Sequence, residues 1–309
     1  MNAVPLSRPQ SGFEGLRGTL REHLPLAPFT SWRVGGPALR YYQPADRDDL
    51  ITFVRQLPAA EPVLWLGLGS NLLVRDGGWP GTVIHLHGAL DRLSVPATGD
   101  GAPVVAEAGV HCARLAKQVR AGALAGLGFM AGIPGTVGGA LAMNAGAWGG
   151  ETWPVVRRAE LLMRDGETRW ITPADLEWGY RHVQLPVDAL GFLCAEFNVR
   201  PDIDGEDARA TRESLAQRKA TQPVGKPTAG STFRNPPGDH AARLIESCGL
   251  KGHRVGGASV STLHANFLLT EDGATAQDVE QLIAFIRATV AQRTGIALVP
   301  EVKIVGGAT

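Results

Sequence analysis

The chain has 309 residues, 44% of them hydrophobic, and its 30 Lys and Arg residues balance 30 Asp and Glu residues. This length predicts two domains, and the neutral charge argues against general binding to nucleic acid or to an anionic membrane. Three cysteines far apart in sequence argue against a disulfide framework and against a zinc knuckle. Because residues 1–15 contain no apolar signal-peptide core, we expect a soluble cytoplasmic protein.

The first ninety residues predict short strands around one helix. Early prolines and glycines indicate that residues 1–23 are loosely ordered. A helix is predicted over Asp46–Leu57, because its apolar residues recur at helical spacing and Pro58 ends it. Strands are predicted over Pro62–Leu66 and Thr82–His87.

Gly67, Gly69, Ser70 and Asn71 form a glycine loop directly after the strand that ends at Leu66. The loop resembles the start of a dinucleotide fingerprint, but the third glycine is absent and a turn at 76–78 leaves no room for a helix. The glycines should therefore connect two strands. Such a loop can bind a pyrophosphate through backbone N–H groups, or it can be a plain turn, and the loop alone leaves both open.

His85 and His87 lie on one face of a predicted strand, at a spacing that could serve a metal ion. No third ligand lies nearby in sequence, so core or solvent-facing histidines are the favoured interpretation. A strand over Val104–Ala108 and a helix over His111–Leu124 follow.

Residues 121–150 contain ten glycines and no charged side chain. This composition does not suit a membrane-spanning helix, which needs a dense apolar surface. Glycine lets backbone N–H groups approach a ligand closely, so the stretch indicates a wall against a large bound group. A tightly packed Gly/Ala core is the alternative.

The second half predicts a hairpin with an Asp-Gly turn, a polar break at 202–205 and three helices. The helix over Thr275–Thr294 has the clearest apolar face, with a capping signal before it and Gly295 after it. The predicted elements are the hairpin Val155–Trp170, a strand over Phe192–Val199, helices over Glu206–Ala220 and Ala241–Cys248, and strands over Ala265–Leu269 and Leu298–Val305.

Eight motifs occur in an order that resembles the UDP-N-acetylenolpyruvoylglucosamine reductase (MurB) family of peptidoglycan synthesis, from about Leu24 to Gly306. Each motif is weak alone, and the ordered set is specific. The motifs are Thr30–Pro37, Gly67–Gly78, Gly132–Gly150, Gly179–Arg181, Ala229–Pro236, Gly249–Gly257, the helix at 275–294 and Leu298–Gly306.

The resemblance implies an α+β fold, with a two-lobed FAD-binding region of the vanillyl-alcohol oxidase/p-cresol methylhydroxylase type and a smaller α+β substrate-binding domain. The FAD-binding domain would span residues 24–203, in lobes of about 24–88 and 89–203. The substrate-binding domain would span 204–297, and residues 298–309 would return to the first domain as a strand. The implied FAD contacts are Gly67, Gly69, Ser70 and Asn71 at the pyrophosphate, and Gly132, Ile133, Gly135, Thr136, Gly138, Gly139, Asn144 and Gly146 along the flavin.

The resemblance further implies that NADPH reduces FAD, and that the reduced flavin gives hydride to C3 of UDP-N-acetylglucosamine enolpyruvate. Arg181 would hold the substrate carboxylate, Ser231 would protonate C2, and Glu301 would be the third catalytic residue. Tyr180, Asn235 and Asn266 would contact the UDP-sugar, with Lys226, Lys251 and Arg254 as weaker candidates for its diphosphate. A monomer without nucleic-acid or membrane partners is expected.

Three positions depart from the family pattern: Val183 replaces a serine, Arg234 replaces a lysine and Gly128 replaces an acidic residue. Another FAD-dependent oxidase or dehydrogenase on the same scaffold remains an alternative, although it gives no reason for Arg181, Ser231 and Glu301 together. A flavin- or UDP-sugar-binding module without catalysis is a third hypothesis.

Overall fold

The computed structural model describes residues 12–97 and 101–308. The strands are β1 (Thr19–Pro25), β2 (Pro37–Gln43), β3 (Val63–Leu66), β4 (Leu72–Val74), β5 (Trp79–His85), β6 (Leu93–Ser94), β7 (Val104–Glu107), β8 (Leu124–Ala125), β9 (Gly146–Ala147), β10 (Gly150–Glu151), β11 (Val156–Met163), β12 (Thr168–Ile171), β13 (Glu177–Gly179), β14 (His182–Gln184), β15 (Ala189–Phe197), β16 (Arg200–Pro201), β17 (Arg254–Val255), β18 (Ala258–Val260), β19 (Leu268–Thr270) and β20 (Lys303–Val305). The α-helices are α1 (Arg47–Arg55), α2 (Cys112–Ala121), α3 (Val137–Met143), α4 (Glu206–Thr221), α5 (Ala241–Ser247) and α6 (Ala276–Thr294).

Two sheets form the first two-thirds of the chain. A four-stranded sheet has the order β1-β2-β5-β3, and a five-stranded sheet has the order β12-β11-β15-β7-β6. β2, β5 and β3 pair in parallel, whereas every pair in the five-stranded sheet is antiparallel. The largest apolar core packs α1, α2 and α3 against both sheets, so the two sheets share one hydrophobic interior.

Local signals placed most helices and turns correctly. Asp46 caps α1, as its side chain accepts a hydrogen bond from the Asp49 N–H. Thr275 and Asp278 form the predicted capping box at α6, and Gly295 ends that helix with φ +73°. The Asp-Gly hairpin is confirmed as β11 and β12. The loop that begins at Gly67 connects two strands, β3 and β4, and no helix follows it.

The N-terminal segment is more ordered than its sequence indicates. Part of the stretch 1–23 that we expected to be loose, residues 1–11, lies outside the described residues. β1, however, begins at Thr19 and pairs antiparallel with β2 along its whole length. An exposed edge strand can form without an alternation of apolar and polar residues in its sequence, because hydrogen bonds to its partner strand hold it in place.

The last third of the chain builds a second core from α5, α6 and the three-stranded sheet β17-β18-β19. Trp32 and Val34 also belong to this core, and the Trp32 indole donates to the Leu268 carbonyl at 2.8 Å. The strand predicted at 265–269 lies slightly later, as β19, and β17 and β18 carried no recognised signal. Strands of two and three residues are too short to show a period.

The final strand is shorter than predicted. Only Lys303–Val305 is extended, and it pairs in parallel with β4 of the first domain. Among residues 298–302, Pro300 forms an isolated bridge with Phe233. No helix in residues 12–97 or 101–308 has the length and apolar surface to span a membrane.

Candidate active site

A cleft of ≈ 570 Å³ opens where the two cores meet. The predicted catalytic, cofactor and UDP-sugar residues line this cleft except Asn144, whereas the three weaker diphosphate candidates do not. The three predicted catalytic side chains are among the lining residues, although they come from positions 181, 231 and 301. Its volume is within the usual range for a cofactor or small-molecule site.

The loop from Gly67 to Asn71 presents its backbone N–H groups rather than its carbonyls. Gly69 has φ +58°, and an added Cβ would lie 2.3 Å from the Phe29 carbonyl oxygen. Its own carbonyl accepts from the backbone N–H of Ser31 at 3.2 Å. Within the described part of the chain, the N–H groups of Leu68, Gly69 and Ser70 have no hydrogen-bond acceptor. A run of free N–H groups in a turn is a binding site for an anion.

The glycines of the second wall divide into two kinds. A Cβ on Gly132 would lie 2.6 Å from the Ala147 Cβ, and one on Gly138 would lie 2.9 Å from the Ala108 Cβ. Protein packing therefore requires glycine at these two positions. A Cβ on Gly135 or Gly139 would meet no described protein atom closer than 3.4 Å. Some glycines of the stretch therefore serve packing and others leave space in the cleft, and the wall against a bound group stays a prediction.

Asn144 turns away from the cleft. It is fully buried, with φ +45° at the end of α3. Its Nδ2 donates to Glu151 Oε2 and to the Gly179 carbonyl, both at 3.0 Å, and its Oδ1 accepts from the Trp153 N–H. The side chain therefore holds the β13–β14 hairpin, whose turn contains Arg181, rather than reaching the cofactor wall.

Arg181 is held by three hydrogen bonds. It lies in the turn between β13 and β14 with φ +55°. Nε donates to Glu301 Oε1 at 2.8 Å, Nη1 to the Asn144 carbonyl at 3.3 Å and Nη2 to the Gly146 carbonyl at 2.9 Å. A guanidinium has five N–H groups, so one remains on each terminal nitrogen. Such a pair can hold a carboxylate with two parallel hydrogen bonds.

Glu301 is the carboxylate in a mainly positive cluster. Burial raises its pKa, while the nearby Arg181 and Arg234 oppose that rise. Arg234 donates to the Arg181 carbonyl at 3.1 Å, and Lys303 lies two residues beyond Glu301 in the cleft lining. Desolvation and then the charge of Arg234 lower the pKa of Lys303. Three cations against one carboxylate leave a net charge of about two, which favours an anionic ligand.

Ser231 is positioned by its neighbours in sequence and by Asn266. It forms an isolated bridge with Phe267. The Asn266 side chain accepts from the Phe233 N–H at 3.0 Å and donates to the Phe233 carbonyl at 2.8 Å. Because this buried amide is occupied on both sides, Asn266 fixes the backbone beside Ser231 and has little left for a sugar. Asn235 Oδ1 accepts from the Ala241 N–H at 3.1 Å, which leaves its Nδ2 for a ligand.

The three weaker candidates lie elsewhere. Lys226 is exposed and does not line the cleft. Lys251 pairs with Glu246, and Arg254 pairs with Glu271, on exposed surfaces outside the cleft lining. Local sequence does not distinguish these cations from the ones that line the cleft. The strand predicted over Leu298–Val305 could have indicated Lys303, since residues two places apart on a strand face the same side.

Other lining residues carried no sequence signal. Arg218, at the C-terminal end of α4, donates to the Gly132 carbonyl, and burial lowers its pKa. Trp148 lies half-exposed in the cleft with φ +52°. The Trp65 indole Nε1 is buried and has no partner among the described residues. An unpaired donor and a row of free N–H groups fit a cofactor rich in phosphate and carbonyl oxygens.

Comparisons with known proteins agree with this geometry. The family model of the UDP-N-acetylenolpyruvoylglucosamine reductase C-terminal domain matches residues 222–305, and an FAD binding domain model matches residues 38–172. UDP-N-acetylenolpyruvoylglucosamine reductase from Methylococcus capsulatus is 56% identical, covering 94% of this chain and 95% of the relative. The enzyme of that name from Alkalilimnicola ehrlichii is 55% identical, covering 94% and 96%. The crystal structure of the reductase from Thermus caldophilus superposes with a TM-score of 0.78 at 33% identity, covering 94% of this chain and 99% of that one.

Proposed function

The chain belongs to the UDP-N-acetylenolpyruvoylglucosamine reductase family, and from this premise we propose the reaction that its cleft performs. The protein is an oxidoreductase with an FAD-binding domain. It reduces the enolpyruvyl group of UDP-N-acetylglucosamine enolpyruvate to give UDP-N-acetylmuramate, with FAD as cofactor and NADPH as the reductant. The observation that carries the proposal is the Arg181–Glu301 ion pair in one cleft with Ser231 and the free N–H groups at 68–70.

Bound FAD would supply the hydride-transfer chemistry, with NADPH as the source of the hydride and C3 of the enolpyruvyl group as its acceptor. The loop Gly67–Asn71 holds the pyrophosphate through its free N–H groups, and Gly135 and Gly139 leave space for the flavin. Support comes from the unpaired Trp65 indole and from the space at those two glycines, where an added Cβ would meet no described protein atom closer than 3.4 Å.

Arg181 binds the substrate carboxylate with its two remaining N–H groups. Hydride addition to C3 makes this carboxylate more electron-rich, so a fixed guanidinium stabilises the transition state more than the ground state. Tyr180 supports it, as the Arg181 Cζ lies 5.0 Å from the centre of the Tyr180 ring. Asn235 and the excess cations Arg234 and Lys303 serve the rest of the anionic substrate.

Ser231 donates the proton to C2. A serine hydroxyl is a weak acid, so positive charge nearby must favour its loss of a proton. Arg234, three residues further along the same segment, supplies that charge. Glu301 keeps the Arg181 guanidinium in orientation and, because burial raises its pKa, it can exchange a proton with the developing intermediate.

We assign the FAD-binding domain to residues 24–203 together with the return strand at 298–309, and the substrate-binding domain to 204–297. Two separate hydrophobic cores support this division. The segment around Trp32 lies in the FAD-binding domain by sequence but packs in the second core. It therefore links the two domains.

An anaerobic visible spectrum tests the proposal. Addition of NADPH should bleach the yellow flavin, and UDP-N-acetylglucosamine enolpyruvate should then restore its colour. Bleaching without return would assign a different electron acceptor. A protein that stays colourless with added FAD would refute the flavoenzyme function altogether, and oxygen uptake that needs no NADPH would favour an oxidase.

A further inference from the structure

A buried histidine stands directly behind the Gly67 loop. His85, the last residue of β5, is 7% exposed, and Tyr41 on the neighbouring β2 is 3% exposed. The Tyr41 hydroxyl lies 2.6 Å from His85 Nδ1, and His85 Nε2 lies 3.0 Å from the Gly67 carbonyl oxygen. Phe29 packs edge-on against the imidazole with a centroid distance of 5.3 Å.

The two contacts determine which nitrogen carries the proton. A carbonyl oxygen can only accept, so Nε2 must be the donor to Gly67. The Tyr41 hydroxyl then donates to Nδ1. Burial lowers the pKa of His85 to about 4, so the ring is neutral near pH 7, and the same burial raises the pKa of Tyr41 to about 12. The pair is therefore a fixed chain of two hydrogen bonds ending on the loop backbone.

These two hydrogen bonds affect the direction in which the polar groups of the Gly67 loop point. His85 holds the Gly67 carbonyl towards the protein interior, and Ser31 does the same for the Gly69 carbonyl. The backbone N–H groups between and after these carbonyls are the ones without acceptors in the described residues. Because these two carbonyl oxygens point inward, the negative ends of their peptide dipoles do not face the cleft. The N–H groups of the loop then remain available to an anion.

We propose that Tyr41 and His85 are positioning residues for the pyrophosphate loop, and that their hydrogen bonds set the affinity for FAD. The inference rests on the proposed function, since it assumes that the loop holds the pyrophosphate. The pair itself touches no ligand, as neither side chain is in the cleft lining. Its effect is pre-organisation, which lowers the ordering cost that binding must otherwise meet.

Simple core packing is the competing explanation, and substitutions that keep the shape separate the two. His85→Phe keeps a ring against Phe29 but removes both hydrogen bonds. His85→Gln keeps a donor near the position of Nε2. Tyr41→Phe removes only the outer hydrogen bond. His87→Phe, an exposed site two residues later, is the matched control.

The experiment is a titration of apoprotein with FAD, followed by flavin fluorescence, with the melting temperature of each apoprotein measured in parallel. One lost hydrogen bond to a neutral group corresponds to roughly a tenfold change, so His85→Phe should raise the Kd for FAD about tenfold. Tyr41→Phe should raise it about threefold, and His85→Gln and His87→Phe should stay within about twofold of the wild type.

The results separate three cases. Equal FAD affinity in wild type and His85→Phe would overturn the inference while leaving the proposed function intact. Weak binding in His85→Gln to the same degree as in His85→Phe would also overturn it, since the hydrogen-bond donor that glutamine keeps would then make no difference. A wild-type protein that binds no FAD would refute both this inference and the function on which it rests.

Discussion

The Gly67–Asn71 loop and the catalytic cluster line one cleft, but they are built in opposite ways. The loop is five consecutive residues that offer backbone N–H groups and no net charge. The cluster joins the lining side chains at positions 181, 231, 301 and 303 with Arg234 beside them, and most of these are charged. Binding a cofactor tightly needs a rigid backbone, whereas stabilising a developing charge needs ions aimed at one point.

The two regions are joined by Asn71. Its Nδ2 donates to the Glu301 carbonyl at 3.1 Å, and its own carbonyl accepts from the Lys303 N–H at 3.0 Å. The Gly67–Asn71 loop and the segment that contains Glu301 and Lys303 are therefore held at a fixed distance from each other. If the division of roles is right, changes in the loop should alter FAD affinity, and changes in the cluster should alter the rate of the second half-reaction.

Ser231→Ala should show the largest difference between the regions. Loss of a general acid typically costs about 10²–10⁴-fold in rate, so reoxidation of the flavin by substrate should slow by that factor. Bleaching by NADPH and the Kd for FAD should be unchanged. Stopped-flow absorbance of each half-reaction measures both rates. Ser94→Ala, on exposed β6 outside the cleft lining, is the control, and an equal loss in both half-reactions would contradict the assignment.

Asn144→Asp tests whether the buried amide acts on Arg181 rather than on FAD. The carboxylate cannot donate to the Gly179 carbonyl and would face Glu151, which destabilises the hairpin that carries Arg181. We expect reoxidation to slow about 10–100-fold with little change in FAD affinity.

Asn144→Ala serves as a second variant, because it removes the same donors without adding a charge. Both should raise the KM for the UDP-sugar when assayed with saturating FAD. A loss of FAD affinity without a change in reoxidation would instead indicate that Asn144 acts in binding FAD.

Gly138→Ala and Gly139→Ala compare a glycine required by packing with one facing open space. At Gly138 the new methyl group would meet Ala108 at 2.9 Å, and overpacking should lower apoprotein stability by about 1–3 kcal/mol. At Gly139 the methyl has room, so alanine should raise the stability of α3 by up to ~1 kcal/mol. Gly139→Ala should nevertheless weaken FAD binding about tenfold if the cofactor occupies that space.

Thermal unfolding of the apoproteins and FAD titration give the two readouts for this pair. Unchanged FAD affinity in Gly139→Ala would show that the flavin wall lies elsewhere.

The pH dependence of stability tests the neutral state of the buried His85. His85 has a pKa of about 4 in the folded protein and about 6.5 when exposed. The unfolded chain therefore binds more protons between these values, so stability falls as pH drops from about 6.5 to 4. The melting temperature of His85→Gln apoprotein should fall less steeply over that range than the wild type. Parallel curves for the two proteins would contradict the assignment.

Much of the fold followed from local sequence. Capping residues such as Asp46 and Thr275 and the Asp-Gly hairpin turn act through neighbours in the chain, so their signals are readable. β1, β17 and β18 were not predicted, because strands this short or this exposed are held by partners distant in sequence. The site residues were found through a family resemblance, since a single sequence does not distinguish Arg181 from any other surface arginine.

The sequence by itself determined the helices other than α3, the main turns, the strand–loop–strand unit at Gly67 and the set of residues available for chemistry, because these depend on local propensity and spacing. Only the tertiary structure decided the role of each polar group. Asn144 and Asn266 use their amides on backbone, Arg234 and Lys303 join the cluster, and His85 ties back the Gly67 carbonyl. The physical reason is that a hydrogen bond needs a partner within about 3 Å, and folding alone brings such partners together.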